Sequence, residues 1–174
     1  MTTTQTPHTQ SDPDARFPEA AILADEHVPA VHIWRDFAAT PQQLMRAHTE
    51  ADLFAQWVGP DSLTTRIDEW SCRTNGAYRY VSVRGEEEYA FRGTFPFVGE
   101  DKIVQTFTWE GMPEAVALET LTFEDLGDGR TRLHAFSLCD SFEGRDQMLA
   151  SGMDTGIHEG YAKLDRVLAD GAAR

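Results

Sequence analysis

Long apolar runs are missing from this 174-residue chain, and the unbroken ones extend over only a handful of residues. A helix that spans a bilayer needs about 20 consecutive apolar positions, so membrane insertion is not expected. Basic charge is scarce, with 15 Lys and Arg against 29 Asp and Glu, a formal net charge of −14. Phosphate backbones and anionic lipid surfaces select for basic proteins, which argues against nucleic acid as a partner. The two cysteines, Cys72 and Cys139, are too few for a disulfide framework. The N-terminal MTTTQTPHTQSDPD has no basic stretch followed by an apolar one, so it does not read as a secretory signal, and a reduced cytoplasm is the expected location.

Several catalytic signatures are also absent. None of the six histidines forms an H-E-x-x-H pattern and neither cysteine belongs to a C-x-x-C pair, so no metal site is expected. There is no G-x-S-x-G elbow. Cys139 lies an odd number of residues from His134, which puts the two on opposite faces of one strand. Gly127-Asp128-Gly129 leads from one strand into another, so it is a hairpin turn and no phosphate loop. No cofactor is implied.

What is present divides into zones. Residues 1–26 are rich in Thr, Gln, Pro and Asp and carry little to bury, so a disordered or loosely attached tail is expected, with Glu19–Leu23 as a possible helical turn. A single domain follows over residues 27–170, and 171–174 should fray. Its first strand is Ala30–Phe37. Thr40, Pro41 and Gln43 then have the spacing of a capping box, opening a short helix with Leu44, Met45 and Ala47 inward. A second short helix over Glu50–Trp57, capped by Thr49, stops at Gly59-Pro60.

Six strands come next: Leu63–Trp70, Ala77–Arg84, Glu88–Val98, Lys102–Glu110, Ala115–Leu126 and Thr131–Leu138. Turn residues such as Asn75-Gly76 separate them, and connections this short require antiparallel neighbours. The end, Glu143–Leu168, reads as one helix with Met153, Ile157, Tyr161, Leu164 and Leu168 on one face. Such a helix would be about 39 Å long. Gly152, Gly156 and Gly160 form a second stripe, explained by close backbone approach, by room for a ligand, or by a weak helix start. A curved seven-stranded sheet around one helix leaves a space that only large side chains can fill, so an internal cavity is expected.

These segments resemble the helix-grip fold of the START and Bet v 1 (SRPBCC) superfamily, and within it the branch of activator of Hsp90 ATPase homologues. The resemblance rests on Arg35–Pro60, Thr64–Val81, Phe91–Val98, Asp101–Gly111, Glu119–Leu133 and Met148–Leu168, with Trp57-x-Gly59-Pro60 and Gly152-Met153-x-x-Gly156 as its clearest marks. It departs from its relatives where Thr74-Asn75-Gly76 stands in place of a turn with two glycines. It implies an α+β helix-grip domain that takes a hydrophobic ligand, a cofactor-free cyclase, dehydratase or hydrolase, or a chaperone-type interaction module.

Ring-rich strand faces give the candidate ligand contacts. Tyr78 and Tyr80 share one face, Tyr89, Phe91, Phe95 and Phe97 the next, and Phe107 and Trp109 the one after, leading to Met112. Trp57 on the second short helix and Met148, Met153 and Ile157 on the last helix complete the set. Rings with adaptable methionines suit a flat apolar ligand, although such residues also build ordinary cores. For acid–base work the candidates are His134, Arg92 and Glu119, each mid-strand, where facing solvent is the more frequent outcome. The expected partner is therefore a hydrophobic small molecule, bound by a monomer or homodimer.

Overall fold

Turn chemistry sets the register of the sheet. In the computed structural model, which describes residues 15–173, Asn75 and Asp128 both hold positive φ, 66° and 55°, at hairpin turns. Asn and Asp tolerate that conformation because their short polar side chains bond locally. The strands are β1 (Ala21–Ala24), β2 (Ala30–Phe37), β3 (Thr64–Trp70), β4 (Gly76–Arg84), β5 (Glu87–Phe95), β6 (Phe97–Val98), β7 (Lys102–Trp109), β8 (Ala117–Gly127) and β9 (Arg130–Leu138). The helices are α1 (Pro41–Thr49), α2 (Ala51–Trp57), α3 (Phe142–Ala150) and α4 (Met153–Ala169). The sheet runs β1-β2-β9-β8-β7-β5-β4-β3, antiparallel throughout, with β6 beside β7. This is the α+β helix-grip architecture, a curved sheet closed by the C-terminal helix.

Four expectations need correction. The sheet has nine strands, not seven. One addition is β1, where a helical turn or loose tail was expected: Ile22 pairs with Ile33, and Asp25 accepts the amides of His27 and Val28 at 2.7 and 3.0 Å to turn the chain into β2. The rest of that tail, residues 1–14, lies outside the described residues. The other addition follows from Pro96, which has no amide hydrogen and splits the expected Glu88–Val98 strand into β5 and β6. Second, the expected single long helix is broken at Gly152, whose φ of 83° no α-helix contains, so α4 has 17 residues and a length of roughly 26 Å. Third, Glu50 and not Thr49 caps α2, and the Thr49 hydroxyl donates back to the Met45 carbonyl. Fourth, Ala173 is 2% exposed and belongs to the core, where fraying over residues 171–174 was expected; residue 174 lies outside the described residues. The Thr40–Gln43 capping box of α1 is present in both directions.

The core lies between α1, α2, α4 and the β2–β9–β8 end of the sheet, around Val31, Phe37, Leu44, Phe123, Leu133 and Leu164. Its main clamp is the buried Arg35 on β2, which donates to Asp165 of α4 at 2.5 Å and stacks over Phe37. The Phe37 ring in turn meets Tyr161 edge-on. Beside it α4 presses on the end of α2, where a Cβ on Gly160 would lie 3.1 Å from the Trp57 carbonyl oxygen. Gly156 differs, for its nearest neighbour would be Pro60 Cδ at 3.7 Å.

On the outer face the imidazole of His134 stacks on Trp34 and meets His32, which reaches Asp25. Arg132 pairs with Asp36 on the same face, under Phe17. Burial, followed by the neighbouring His32, pushes His134 down to about 4, and burial alone pushes His48 down to about 4.

Two expectations about stability follow from this packing. Gly156→Ala should stabilise by up to about 1 kcal/mol, because it improves helix propensity at a position with room. Gly160→Ala should be the less stable of the pair by about 1–3 kcal/mol, since its methyl meets a backbone carbonyl; equal denaturation midpoints would contradict the close approach. The two depressed histidines set a pH dependence. Between pH 6.5 and 4 the unfolded chain takes protons that the folded chain refuses, so stability falls as pH falls through that window. For His48 the loss is on the order of 3 kcal/mol. Urea unfolding at pH 7 and pH 4.5 should therefore show a smaller drop for His48→Leu than for the wild type.

Candidate functional site

Alternation along the strands sends one set of side chains toward α4, and the helix does not fill the space they enclose. A cavity of about 850 Å³ remains between the sheet, α2, α3 and the first half of α4. Its floor and walls are β4, β5, β7, β8 and β9. Rings dominate: Tyr78 stacks on Tyr80, Tyr80 on Phe91, and Phe91 on Phe107, with centroids 6.1, 5.2 and 5.4 Å apart. All eleven residues expected to contact a ligand line this space, namely Trp57, Tyr78, Tyr80, Phe91, Phe95, Phe107, Trp109, Met112, Met148, Met153 and Ile157. Tyr89 lines it as well. Phe97 does not share that face: beyond the break at Pro96 its ring is 47% exposed.

The lining changes character toward the mouth. Trp109, Met112 and Val116, at the β7–β8 connection, are 42, 40 and 46% exposed although they border the cavity. Across from them α3 contributes Met148 and Gln147, and none of its residues is buried. Ser141 caps α3 by accepting the Gly144 amide, and Arg145 fastens it to the Asp25 carbonyl.

Inside, the polar groups are few. Glu119 is the innermost acid, centred on β8 directly between Gln105 of β7 and Ser137 of β9. Gln105 donates its amide to Glu119 Oε2 and Ser137 its hydroxyl to Oε1, both at 2.8 Å. Burial raises the Glu119 carboxyl above its ordinary value, and these two bonds only partly offset that. Tyr78 is committed to structure: its hydroxyl crosses Gly93, donates to the Thr106 carbonyl at 2.7 Å, and occupies the space where a Cβ of residue 93 would stand.

Tyr80 and Tyr161 are 6 and 8% exposed and line the cavity, yet their hydroxyls have no protein partner among the described residues. Burial first, and the charge of Glu119 second, raise both phenols, so they stay protonated. His48 Nδ1 lies 2.8 Å from the Leu44 carbonyl, which can only accept, so Nδ1 carries the proton and Nε2 is left as an acceptor.

The three acid–base candidates do not come together. Glu119 faces the cavity. Arg92 faces outward with its side chain half exposed, at the end of a surface network in which Arg79 bonds both oxygens of Glu110. His134 faces outward against Trp34, and Cys139 borders the cavity on the opposite side of the sheet. Gln105, Ser137, His48 and Tyr161 were not singled out as site residues from sequence. Gln105, Glu119 and Ser137 each interrupt an apolar alternation, Ile103-x-Gln105-x-Phe107, Ala117-x-Glu119-x-Leu121 and Ala135-x-Ser137-x-Cys139, and that interruption was the available signal.

Comparison with known proteins places this geometry in a family. The model of the activator of Hsp90 ATPase homolog 1-like proteins matches residues 38–169. Among solved structures, a Rhodobacter sphaeroides protein is 25% identical, with a TM-score of 0.80 over 87% of this chain and 99% of its own. Protein Ms6760 of Mycobacterium smegmatis is 21% identical, with a TM-score of 0.78 over 87% of this chain and 97% of its own. DynU16, a protein from the dynemicin biosynthetic locus, is 18% identical, with a TM-score of 0.59 over 82% of this chain and 48% of its own. No curated protein matches the sequence. The family match covers both helices of the clamp and every strand of the cavity wall: the chain belongs to the activator of Hsp90 ATPase homolog 1-like proteins.

Proposed function

We propose that this protein binds a hydrophobic, aromatic or polycyclic small molecule in the cavity between α4 and the sheet, and sequesters or carries it. The observation behind this reading is the ring-lined space of about 850 Å³, large enough for a molecule of several fused rings. Each 100 Å² of apolar surface withdrawn from water contributes about 2.5 kcal/mol before association costs are met. The exposed Trp109, Met112 and Val116 at the mouth give an apolar ligand a first foothold. No helix among the described residues is long and apolar enough to cross a membrane, and a cytoplasmic carrier is part of this reading.

A second reading, a cofactor-free cyclase, dehydratase or hydrolase acting on a polyketide-like ligand, is favoured by one feature. Glu119 is a carboxyl on the wall of an otherwise mostly apolar site whose proton affinity burial raises, which makes it the candidate to give or take a proton there. DynU16, from a biosynthetic locus, shares the fold, which makes polyketide-like compounds a sensible part of the ligand panel.

The test is native mass spectrometry of freshly purified protein, followed by titration with N-phenyl-1-naphthylamine, a neutral dye that brightens in apolar surroundings. The wild type should bind the dye, and a panel of polycyclic compounds should displace it and raise the melting temperature. Ala135→Phe sends a ring into the cavity from β9 and should weaken dye binding at least tenfold with little change in unfolding midpoint. Equal binding by wild type and variant would place the dye elsewhere and count against the cavity.

A further inference from the structure

Most buried polar side chains of this protein are hydrogen-bonded; among the described residues the hydroxyls of Tyr80, Tyr161 and Ser82, all on the cavity wall, and of Thr108 away from it are not. Among the described residues no fully buried side-chain nitrogen or oxygen lacks a partner. Tyr80 and Tyr161 nevertheless have no hydrogen bond, so their hydroxyl oxygens must retain accessible surface, and the cavity they line supplies it. Tyr80 reaches it from β4 and Tyr161 from α4.

Glu119 is the third member. A carboxylate offers about four acceptor positions, and two are taken by Gln105 and Ser137. All three groups line the same cavity. Among the described residues no cationic side chain bonds Glu119. The remaining acceptor positions therefore have no counterpart among the described residues.

We propose that Glu119, Tyr80 and Tyr161 form a polar anchor that selects flat apolar ligands carrying a neutral hydroxyl of the phenol or alcohol type, and that turns carboxylates away. This rests on the cavity being the binding site. A hydroxyl can donate to Glu119 and accept from a tyrosine at the same time. An ammonium can do only the first, because it has no lone pair for a phenol to approach. A ligand carboxylate brings a second negative charge to a buried acid that already lacks compensation, so its affinity is lowered. The apolar rings then set size and flatness, while the anchor sets which end of the ligand enters first.

Three naphthalenes of similar size separate the contributions: 2-naphthol, 2-methylnaphthalene and 2-naphthoate. Their affinities are read by displacement of N-phenyl-1-naphthylamine from wild type, Glu119→Leu, Tyr80→Phe and Tyr161→Phe, after thermal unfolding shows which variants are folded. The quantity that matters is the preference for 2-naphthol over 2-methylnaphthalene, because a ratio cancels any general change in the cavity. It should fall at least tenfold in Glu119→Leu and at least threefold in one of the tyrosine variants. Wild type should bind 2-naphthoate at least tenfold more weakly than 2-naphthol, and Glu119→Leu should narrow that gap.

Should Glu119→Leu not fold, the tyrosine variants carry the same test, since each removes one oxygen and keeps its ring. An unchanged preference in every folded variant, with all three probes bound, overturns the anchor and leaves the cavity reading intact. Failure of the wild type to bind any of the probes or the dye overturns the cavity reading and the anchor with it.

Discussion

The architecture depends on how α4 is fastened, which is at one end. Its second half carries Tyr161, Leu164 and Val167 into the core, and Asp165 ties it to the buried Arg35 of β2. Gly160 lets the helix approach the backbone of α2 so closely that even a methyl group would crowd the Trp57 carbonyl. The first half, with Met153 and Ile157, has no matching partner on the sheet and lies over the cavity. Had one straight helix continued through α3, it would have extended the clamp over the opening. The left-handed backbone at Gly152 ends that continuity, and α3 borders the mouth without burying any residue.

On the opposite wall the limiting constraint is the pairing of β5 with β7. The paired register between them covers only Phe91 with Trp109 and Arg92 with Thr108. Beyond it Gly93 offers no side chain, and Tyr78 lies across it to bond the Thr106 carbonyl. The strands stay close there without a regular ladder: a Cβ on Gly93 would lie 2.0 Å from the Thr106 carbonyl oxygen, and the Thr94 amide donates to the Thr106 hydroxyl at 2.9 Å. The cavity is thus bounded by a helix held at its far end and by a sheet whose β5–β7 ladder is interrupted at a glycine.

Much of this was legible in the sequence, and the gaps have physical reasons. Turn residues at Asn75, Gly85 and Asp128 located the hairpins, and period-two alternation placed the rings of β4, β5 and β7 on the cavity side. Alternation carries no information about which of two faces a lone polar residue occupies unless its neighbours on that face are weighed. Arg92 and His134 follow the ordinary outward preference. Glu119 does not, and its flanking partners Ala117 and Leu121 were the clue. Gln105 and Ser137 become meaningful only once the register sets them on either side of Glu119, a long-range fact that local pattern does not contain. The glycine stripe of the last helix proved to have three different causes, a helix break at 152, an open position at 156 and a helix contact at 160, although spacing made the three look alike. Strand β1 was missed because a short edge segment of weak composition takes its structure from its neighbour β2.

Both faces of the sheet bury polar groups, and the difference between them carries the functional argument. On the outer side Arg132 is held by both oxygens of Asp36 and by the Ala15 carbonyl, beneath Phe17. Asp36 in turn accepts the Phe17 amide, so that cluster is closed by the chain itself. Thr131 bonds the Ala39 carbonyl, Trp57 the Ala47 carbonyl and Trp70 the Thr49 carbonyl, each joining one element to the next. Bonds of this kind specify a fold because leaving them unmade costs about 1–3 kcal/mol each. Inside the cavity the same chemistry stops short: Glu119 keeps free acceptor positions, and two tyrosine hydroxyls have no protein partner. Apolar residues at those three positions would have avoided the burial cost with no loss to the clamp or the hairpins. Polar groups left incompletely bonded on the wall of a space the fold leaves open are the feature on which the proposed ligand reading rests.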